Sequence, residues 1–243
     1  MIVFAERVIK PYIEASGYRR VCEIGASRGQ TTDKILEIDS VSIDIIDPCL
    51  DADLRQKYRE RERVKVHQGI SLDVLKRISG TFDCILIDGD HNWYTVYHEL
   101  RTIEERSLIR NGGTIFLHDV GWPYGRRDLY YQPELIPEEA IHPYRRAGLV
   151  YGESELSDDS DINAELCNAV YEGGPRNGVL TAIEDFFYEH KGKYKFFLFE
   201  EEYGLGVLLR TDGTLGSISF QRYFLEAKLR RLLRRLKNLI RQY

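Results

Sequence analysis

Glu23-Ile24-Gly25-Ala26-Ser27-Arg28-Gly29 follows a short β-prone run, Arg20 to Ile24, and opens a helical pattern from Thr31 to Ile38. A strand that leads through two glycines into a helix brings backbone N–H groups close to a nucleotide, because no Cβ holds the ligand away. The spacing alone is weak. It gains weight from Asp47, twenty-two residues past Gly25 at the end of the next β-prone run, Val41 to Ile46. A carboxylate there can accept both hydroxyls of a ribose. The plain alternative is a tight turn followed by a solvent-facing aspartate. A G-x-G-x-x-G dinucleotide fingerprint is absent.

Working outward, apolar runs continue to alternate with helical patterns. Val64 to His67, Phe82 to Ile87 and Thr114 to Leu117 complete five strands. The segments near Leu50 to Arg61, Leu72 to Ile78 and Tyr94 to Ile109 are long enough for right-handed helical crossovers, so the five strands are predicted to lie parallel. A helix from about Gly178 to His190 leads to Lys195 to Glu200 and Gly206 to Arg210, close enough to pair as a hairpin. The pattern predicts an α/β, Rossmann-like sheet with helices on both faces and a closing C-terminal hairpin, as one main domain over residues 1–220.

The fourth run ends in Asp88-Gly89-Asp90-His91, and the fifth in His118-Asp119. An open α/β sheet keeps its chemistry outside the carboxyl ends of its strands, which makes these carboxylates and imidazoles the catalytic candidates. Between Val120 and Arg176 the alternation breaks, with five of the seven prolines and an acidic patch from Ser157 to Asp161. A long irregular segment leaving that same edge is predicted to cover the site. It is rich in groups that hold carbohydrates and anions: Trp122, Tyr124, Arg126, Arg127, Tyr130, Tyr131, His142, Tyr144, Arg145 and Arg146. The paired arginines suggest a phosphate or carboxylate on the ligand, or equally a surface pair neutralising Asp128 and Glu134. Glu172 to Gly178 reads as a tight loop ending in an asparagine cap, which closes the site or starts the helix.

Composition bounds the rest. With 243 residues, 43% of them hydrophobic, the chain can bury one substantial core. Cys22, Cys49, Cys84 and Cys167 are far apart with no C-x-x-C pair, so neither a zinc knuckle nor a disulfide scaffold is suggested, and a reducing cytoplasm is the simplest expectation. No run of about eighteen apolar residues occurs, and no cleavable leader is read at the start. From Gln221 to Tyr243, eight Lys or Arg stand against one Glu in a chain whose total charge is −5. Leucines there recur at three- and four-residue intervals, the pattern of a basic amphipathic helix over 221–243. That helix is expected to pack on its own domain, on a second subunit in a homo-oligomer, or on an anionic membrane surface at the periphery. Nucleic acid is not an expected partner, because the rest of the chain is acidic.

Taken together, Val21 to Thr32, Ile45 to Pro48, His67 to Ser71, Phe82 to His91 and Gly112 to Asp119 resemble the class I S-adenosylmethionine-dependent methyltransferases. The resemblance spans roughly half the residues and implies a seven-stranded, mostly parallel sheet closed by an antiparallel hairpin. It implies that Glu23 faces the methionine ammonium, that Gly25, Ala26, Ser27 and Gly29 line the methionyl chain, that Asp47 holds the ribose and Ser71 the adenine region, and that Asp88 borders the same cofactor pocket. Within that class, Asp88 to His91 with His118-Asp119 is similar to the metal-dependent sugar O-methyltransferases, of the macrocin and mycinamicin type. By that similarity Asp88, His118 and Asp119 become ligands of a divalent metal and His91 the base beside the acceptor hydroxyl. His118 departs from the acidic or amide residue of that pattern. Its softer imidazole admits Mn²⁺, Fe²⁺ or Zn²⁺ beside Mg²⁺, and a metal-free acid/base pair of His91 and His118 stays open.

The resulting expectation is O-methylation of a hydroxyl on a small-molecule or glycan substrate. The alternatives are a methyltransferase or hydroxylase-like enzyme acting on a non-sugar molecule, and a non-catalytic cofactor-binding module.

Overall fold

Consecutive apolar residues can be buried on both sides of a sheet, and the run Cys84 to Ile87 uses this. Cys84 and Leu86 face one hydrophobic layer while Ile85 and Ile87 face the other. The computed structural model describes residues 1–211; the predicted basic helix over 221–243 lies outside them. The strands are β1 (Arg20–Ile24), β2 (Ser42–Ile46), β3 (Val64–His67), β4 (Phe82–Ile87), β5 (Ile109–His118), β9 (Tyr194–Phe199) and β10 (Leu205–Arg210), with β6 (Leu129–Tyr130), β7 (Tyr144–Arg146) and β8 (Cys167–Ala169) inside the insertion. The seven-stranded sheet has the order β3-β2-β1-β4-β5-β10-β9. Strands β1 to β5 are parallel, and β10 runs antiparallel to both β5 and β9. The order reverses between β1 and β4, which opens the crevice where open sheets bind ligands.

Helices cover both faces. The helical N-terminal segment, α1 (Ile2–Phe4), a π-helical turn Ala5–Ile9 and α2 (Lys10–Ser16), shares one core with α3 (Gln30–Leu36) and Tyr58 of α4 (Ala52–Arg59). On the other face α5 (Ser71–Leu75), α6 (Trp93–Glu105) and α7 (Val179–Glu189) bury Leu75, Leu100, Ile103 and Phe186. Element bounds follow the sequence reading closely, with one instructive difference. β5 starts five residues earlier than the predicted Thr114. Ile109 pairs with Phe82 and Thr114 with Cys84, and the residues between, including Gly112 at φ +75°, are taken up in a register shift.

The insertion has its own small sheet, in the order β6-β8-β7, over a core of Tyr124, Leu129, Ala147, Leu149 and Leu156. It is stitched to the main body by Asp128, which is fully buried. Asp128 Oδ1 accepts from Trp93 N at 2.7 Å and from Gly178 N at 2.7 Å, and Oδ2 accepts from the Tyr130 hydroxyl at 2.8 Å. One carboxylate thus serves the N-terminal ends of α6 and α7 together, where helix partial charges favour an anion. This corrects the expectation that Asp128 is balanced by surface arginines. Asn177 is likewise not a helix cap. Its amide accepts from Asp128 N at 2.7 Å and donates to Tyr171 O and Gly173 O at 3.0 and 2.8 Å, holding the Glu172 to Gly178 loop against the insertion.

Among the described residues, no helix is long and apolar enough to cross a membrane. The four cysteines are free.

Candidate active site

Because Ile24 pairs with Ile87 and Ile87 with Leu117, the segments leaving β1, β4 and β5 emerge on one edge. Gly25 touches the turn after β4 directly. A Cβ on Gly25 would collide with the Asp88 carbonyl oxygen and the Gly89 backbone, and its φ of +84° already disfavours any side chain. A Cβ on Gly29, at φ +72°, would collide with the Tyr58 hydroxyl. Both positions are therefore closed to any side chain by the protein's own atoms. Gly25→Ala is expected to cost roughly 1–3 kcal/mol from overpacking and to displace Asp88. Urea unfolding monitored by circular dichroism checks it, and an unshifted midpoint would refute the contact's importance.

Asp47 lies beside this loop as predicted. It is 5% exposed; its Oδ2 accepts from Ser27 N at 2.8 Å and its Oδ1 from Cys49 N at 2.7 Å. Ser27 takes a left-handed φ of +49° to make that bond. Each Asp47 oxygen keeps a lone pair for a further donor. Glu23 is buried at the end of β1 and accepts from the Thr32 hydroxyl; burial pushes its carboxyl pKa up to about 8, with Asp88 and Asp47 adding like charge. A buried acid in that state suits a cationic partner, which would restore its charge. Ala26 is buried in the core beneath the loop, and Ser71 is buried at the start of α5. Ser71 has a neighbour the sequence reading missed, Glu99 of α6. It is fully buried, neither of its oxygens has a hydrogen-bond partner of good geometry, and burial pushes its pKa up to about 8. Its only sequence signal is its place seven residues after Asn92, on the same helix face.

Around the ends of β4 and β5 four predicted residues converge. His91 Nε2 lies 2.6 Å from Asp119 Oδ2 and 3.8 Å from Asp88 Oδ1. His118 Nδ1 lies 3.1 Å from both Asp88 Oδ1 and Asp119 Oδ2. The amino group of Met1 stands 3.0 Å from His118 Nε2 and 3.4 Å from Asp88 Oδ2. Burial opposes ionisation of Asp88, but the facing imidazoles of His118 and His91 outweigh it and bring the carboxyl down to about 2. Asp119 is held below the carboxylate range in the same way, chiefly by the His91 charge against burial. Burial lowers both imidazoles, and the carboxylates win. His91 is raised well above its ordinary value, mainly by the Asp119 charge, and His118 is raised to about 9 by hydrogen bonds to Asp119 and Asp88. One ligand atom each from Asp88, His118 and Asp119 lies within 4.8 Å of the others, a spacing and donor set that fit a divalent ion.

Asp90 has a different part from the one its place in the motif suggests. Its Oδ1 accepts from His91 N at 3.0 Å and its Oδ2 from the Thr95 hydroxyl at 2.8 Å, so it shapes the turn into α6. His91 is further pinned by the insertion, since its carbonyl accepts from Leu129 N at 3.1 Å. Of the insertion's predicted ligand-holding groups, Tyr124 and Tyr131 stand next to His91, with ring centroids 5.9 and 5.8 Å away. Of the predicted arginines, Arg126, Arg127 and Arg145 are engaged elsewhere. Arg126 is bidentate to Glu184 at 2.6 and 2.7 Å, and Arg127 is 1% exposed and donates to three backbone carbonyls. Arg145 pairs with Asp158, and Arg176 lies over the Trp93 ring at 5.2 Å. Tyr130 is buried on Asp128 and His142 faces the Arg176 carbonyl at 2.9 Å.

Residues 22–120, about two fifths of the chain, match the family model described as a methyltransferase domain. No curated protein matches the chain. Among solved structures, the chain is similar to a caffeoyl-CoA O-methyltransferase candidate from Staphylococcus aureus, with 13% identity, a TM-score of 0.51 and coverage of 86% of this chain and 83% of that one. It is also similar to an SAH-bound methyltransferase from Podospora anserina, with 16% identity, a TM-score of 0.53 and coverage of 84% and 76%. At that identity the likeness is one of fold, and it agrees with the strand order above.

Proposed function

From a chain that carries a methyltransferase domain on the class I fold, we propose that the protein transfers a methyl group from S-adenosylmethionine to a hydroxyl oxygen of a neutral sugar or glycoconjugate, with His91 as the base. One observation carries this reading. The Gly25 loop beside Asp47 is in van der Waals contact with the Asp88-Gly89 turn, so a donor-binding loop and an acid/base cluster share one edge of the sheet.

The donor would be held by Asp47 at the ribose, by Glu23 toward the ammonium and by the Gly25 to Gly29 backbone along the methionyl chain. Bound there, S-adenosylmethionine supplies an electrophilic methyl carbon on sulfur. His91 would take the acceptor's hydroxyl proton, and Asp119, 2.6 Å from its Nε2, would balance the imidazolium that results. Fixing the oxygen on line with the methyl carbon supplies much of the rate in a displacement of this kind. Asp88, His118 and Asp119 would hold a divalent ion, which when bound lowers the pKa of an adjacent hydroxyl, an effect that matters more for an aliphatic alcohol than for a phenol. Engagement of Arg126, Arg127 and Arg145 favours an uncharged acceptor over a phosphorylated one, against the expectation of an anionic group.

Calorimetric titration with S-adenosylhomocysteine tests the donor half. Binding to the wild type is expected, and Asp47→Ala should weaken it by about 10–100-fold, the worth of hydrogen bonds to one charged group. Asp47→Asn, which keeps one acceptor, should fall between. No heat with the wild type, or equal affinity in both variants, would overturn the assignment.

A further inference from the structure

β2 breaks its own apolar run. Between Ile43 and the pair Ile45-Ile46 stands Asp44, which is only 6% exposed. A buried carboxylate on a sheet face is costly unless its oxygens are matched. Here both are matched: Oδ1 lies 2.7 Å from His67 Nε2, and Oδ2 lies 3.5 Å from the Arg20 guanidinium. Breaks of the strand pattern of this kind collect at functional sites. Asp44 pairs across the sheet with Lys65 of β3, an edge strand, and His67 follows two residues later on the same face. Ile46, also on that face, belongs to the core layer of Val74 and Ile78. The short α5 and the turn behind it do not seal this corner. A cavity of about 330 Å³ remains, with Asp44, Lys65, His67, Val74, Arg77 and Ile78 in its lining. That volume lies at the lower end of the range for small-molecule sites, about 300–1,000 Å³. None of the lining comes from the Gly25 loop, the Asp88 to His91 turn, Asp119 or the insertion.

The charges there are unbalanced. Lys65 and Arg77 are exposed, and among the described residues neither has a carboxylate partner; Arg77 is tied only through its Nε to the Asp73 carbonyl, at 3.2 Å. Other surface cations of this chain are paired, Lys34 with Glu37, Lys57 with Asp33 and Arg101 with Glu105. Because Arg20 and His67 already match Asp44, the cavity presents two uncompensated positive charges in a chain whose total is −5. Like charges lining one cavity favour an anion between them. His67 Nδ1 also has no hydrogen-bond partner among the described residues. A lysine on an edge strand guards against strand pairing as well, but that role needs neither Arg77 nor a cavity.

We infer that this cavity is a binding site for a small phosphate monoester, separate from the donor and acceptor sites. Lys65 and Arg77 hold the phosphate oxygens, and His67, its ring fixed by Asp44, adds a third polar contact. A monoester carries about −1.5 to −2 charges near neutrality, which matches two cations, whereas a simple carboxylate leaves one of them unmatched. Val74 and Ile78 offer an apolar wall to the organic part. The phosphate belongs either to a free metabolite or to a lipid headgroup, and the site is independent of the methyl donor's identity.

Calorimetric titration of the full chain with glycerol 3-phosphate at constant ionic strength tests this, with glycerol as the uncharged probe. Saturable binding of the ester and none of glycerol is expected. The affinity should fall about fivefold or more in Lys65→Ala and in Arg77→Ala, between the worth of an exposed ion pair and that of a hydrogen bond to a charged group. It should be unchanged in Arg101→Ala, which removes a surface cation elsewhere. Lys65 and Arg77 are exposed, so the variants should keep the wild-type urea midpoint. Added S-adenosylhomocysteine should leave ester binding unaltered. Sedimentation with phosphatidylcholine vesicles, with and without phosphatidic acid, separates the two sources. Retention by phosphatidic acid that both variants weaken assigns a lipid headgroup, and ester binding without such retention assigns a free metabolite. No binding of either phosphate form, glycerol bound as well as its phosphate, binding that neither variant weakens, or competition by S-adenosylhomocysteine would overturn the site.

Discussion

His91→Ala is expected to lower kcat by about 10²–10⁴-fold, the usual worth of a positioned general base, on any hydroxyl acceptor that the wild type methylates. Its affinity for S-adenosylhomocysteine should stay within about threefold of wild type, because charge removed outside a donor pocket perturbs binding only weakly through screened interactions. The split follows from the geometry. The imidazole reaches Asp119 at 2.6 Å, whereas the donor-side groups Asp47 and Ser27 bond one another on the opposite side of Gly25. The local backbone should survive the change, since the bonds from His91 N to Asp90 and from Leu129 N to the His91 carbonyl do not involve the ring. The pH dependence supplies a second check. With its pKa raised above the ordinary histidine value by Asp119 and Asp88, His91 is protonated near neutrality, and the base form grows as pH rises. Wild-type kcat should therefore climb with pH on the alkaline side of neutrality, and that limb should vanish in His91→Ala. A divalent ion sharing the charge of Asp88 and Asp119 should move the limb to lower pH. Turnover by His91→Ala within about threefold of wild type, far inside the range for a lost base, would remove His91 from the chemistry.

Asp128→Ala is expected to destabilise the fold by about 4 kcal/mol, from the loss of hydrogen bonds to a charged group and the stranding of buried donors. Three donors would lose their acceptor at once: Trp93 N at the start of α6, Gly178 N at the start of α7 and the Tyr130 hydroxyl. None can turn to water, because Asp128 and Tyr130 are buried and Gly178 is wedged against the backbone of Gly125 to Arg127. Burial pushes the Asp128 carboxyl pKa up, and the donors act against that rise, so their bonds are what make the charge tolerable there. Asp128→Asn preserves the shape and one acceptor oxygen and should cost about half as much. Against a total of about 5–15 kcal/mol for a domain, the alanine variant should show a large fall in urea midpoint. Activity should fall with it, since α6 begins two residues after His91. An unchanged midpoint would show that the insertion is held by other contacts.

The sheet was legible because its signals are local. The apolar run Cys84 to Ile87 is what a strand buried on both faces requires, and the turn and helix signals around it are read over a few residues. The site was legible for the same reason. Once the strands are parallel and adjacent, the residues following them must share an edge, so Asp88, His91, His118 and Asp119 meet without knowledge of any side-chain contact. Asp90 shows the limit, because a carboxylate in the same motif instead bonds His91 N and the Thr95 hydroxyl. β5 shows another: the apolar pattern begins the strand at Thr114, yet pairing of Ile109 with Phe82 across the sheet extends it back past Gly112 and Gly113.

What the sequence by itself determined is the order of elements, the parallel sheet and the edge on which charge collects, because strand periodicity and crossover length are properties of neighbouring residues. Only the tertiary structure decided which groups are already engaged. Asp128 lies thirty-five residues from Trp93 and fifty from Gly178, and Arg126 finds Glu184 fifty-eight residues away. It decided, too, that Gly25 makes room for the Asp88-Gly89 turn and that Tyr203 reaches the site across the hairpin. Such pairings depend on the relative placement of distant segments, and no local pattern of residues encodes that placement.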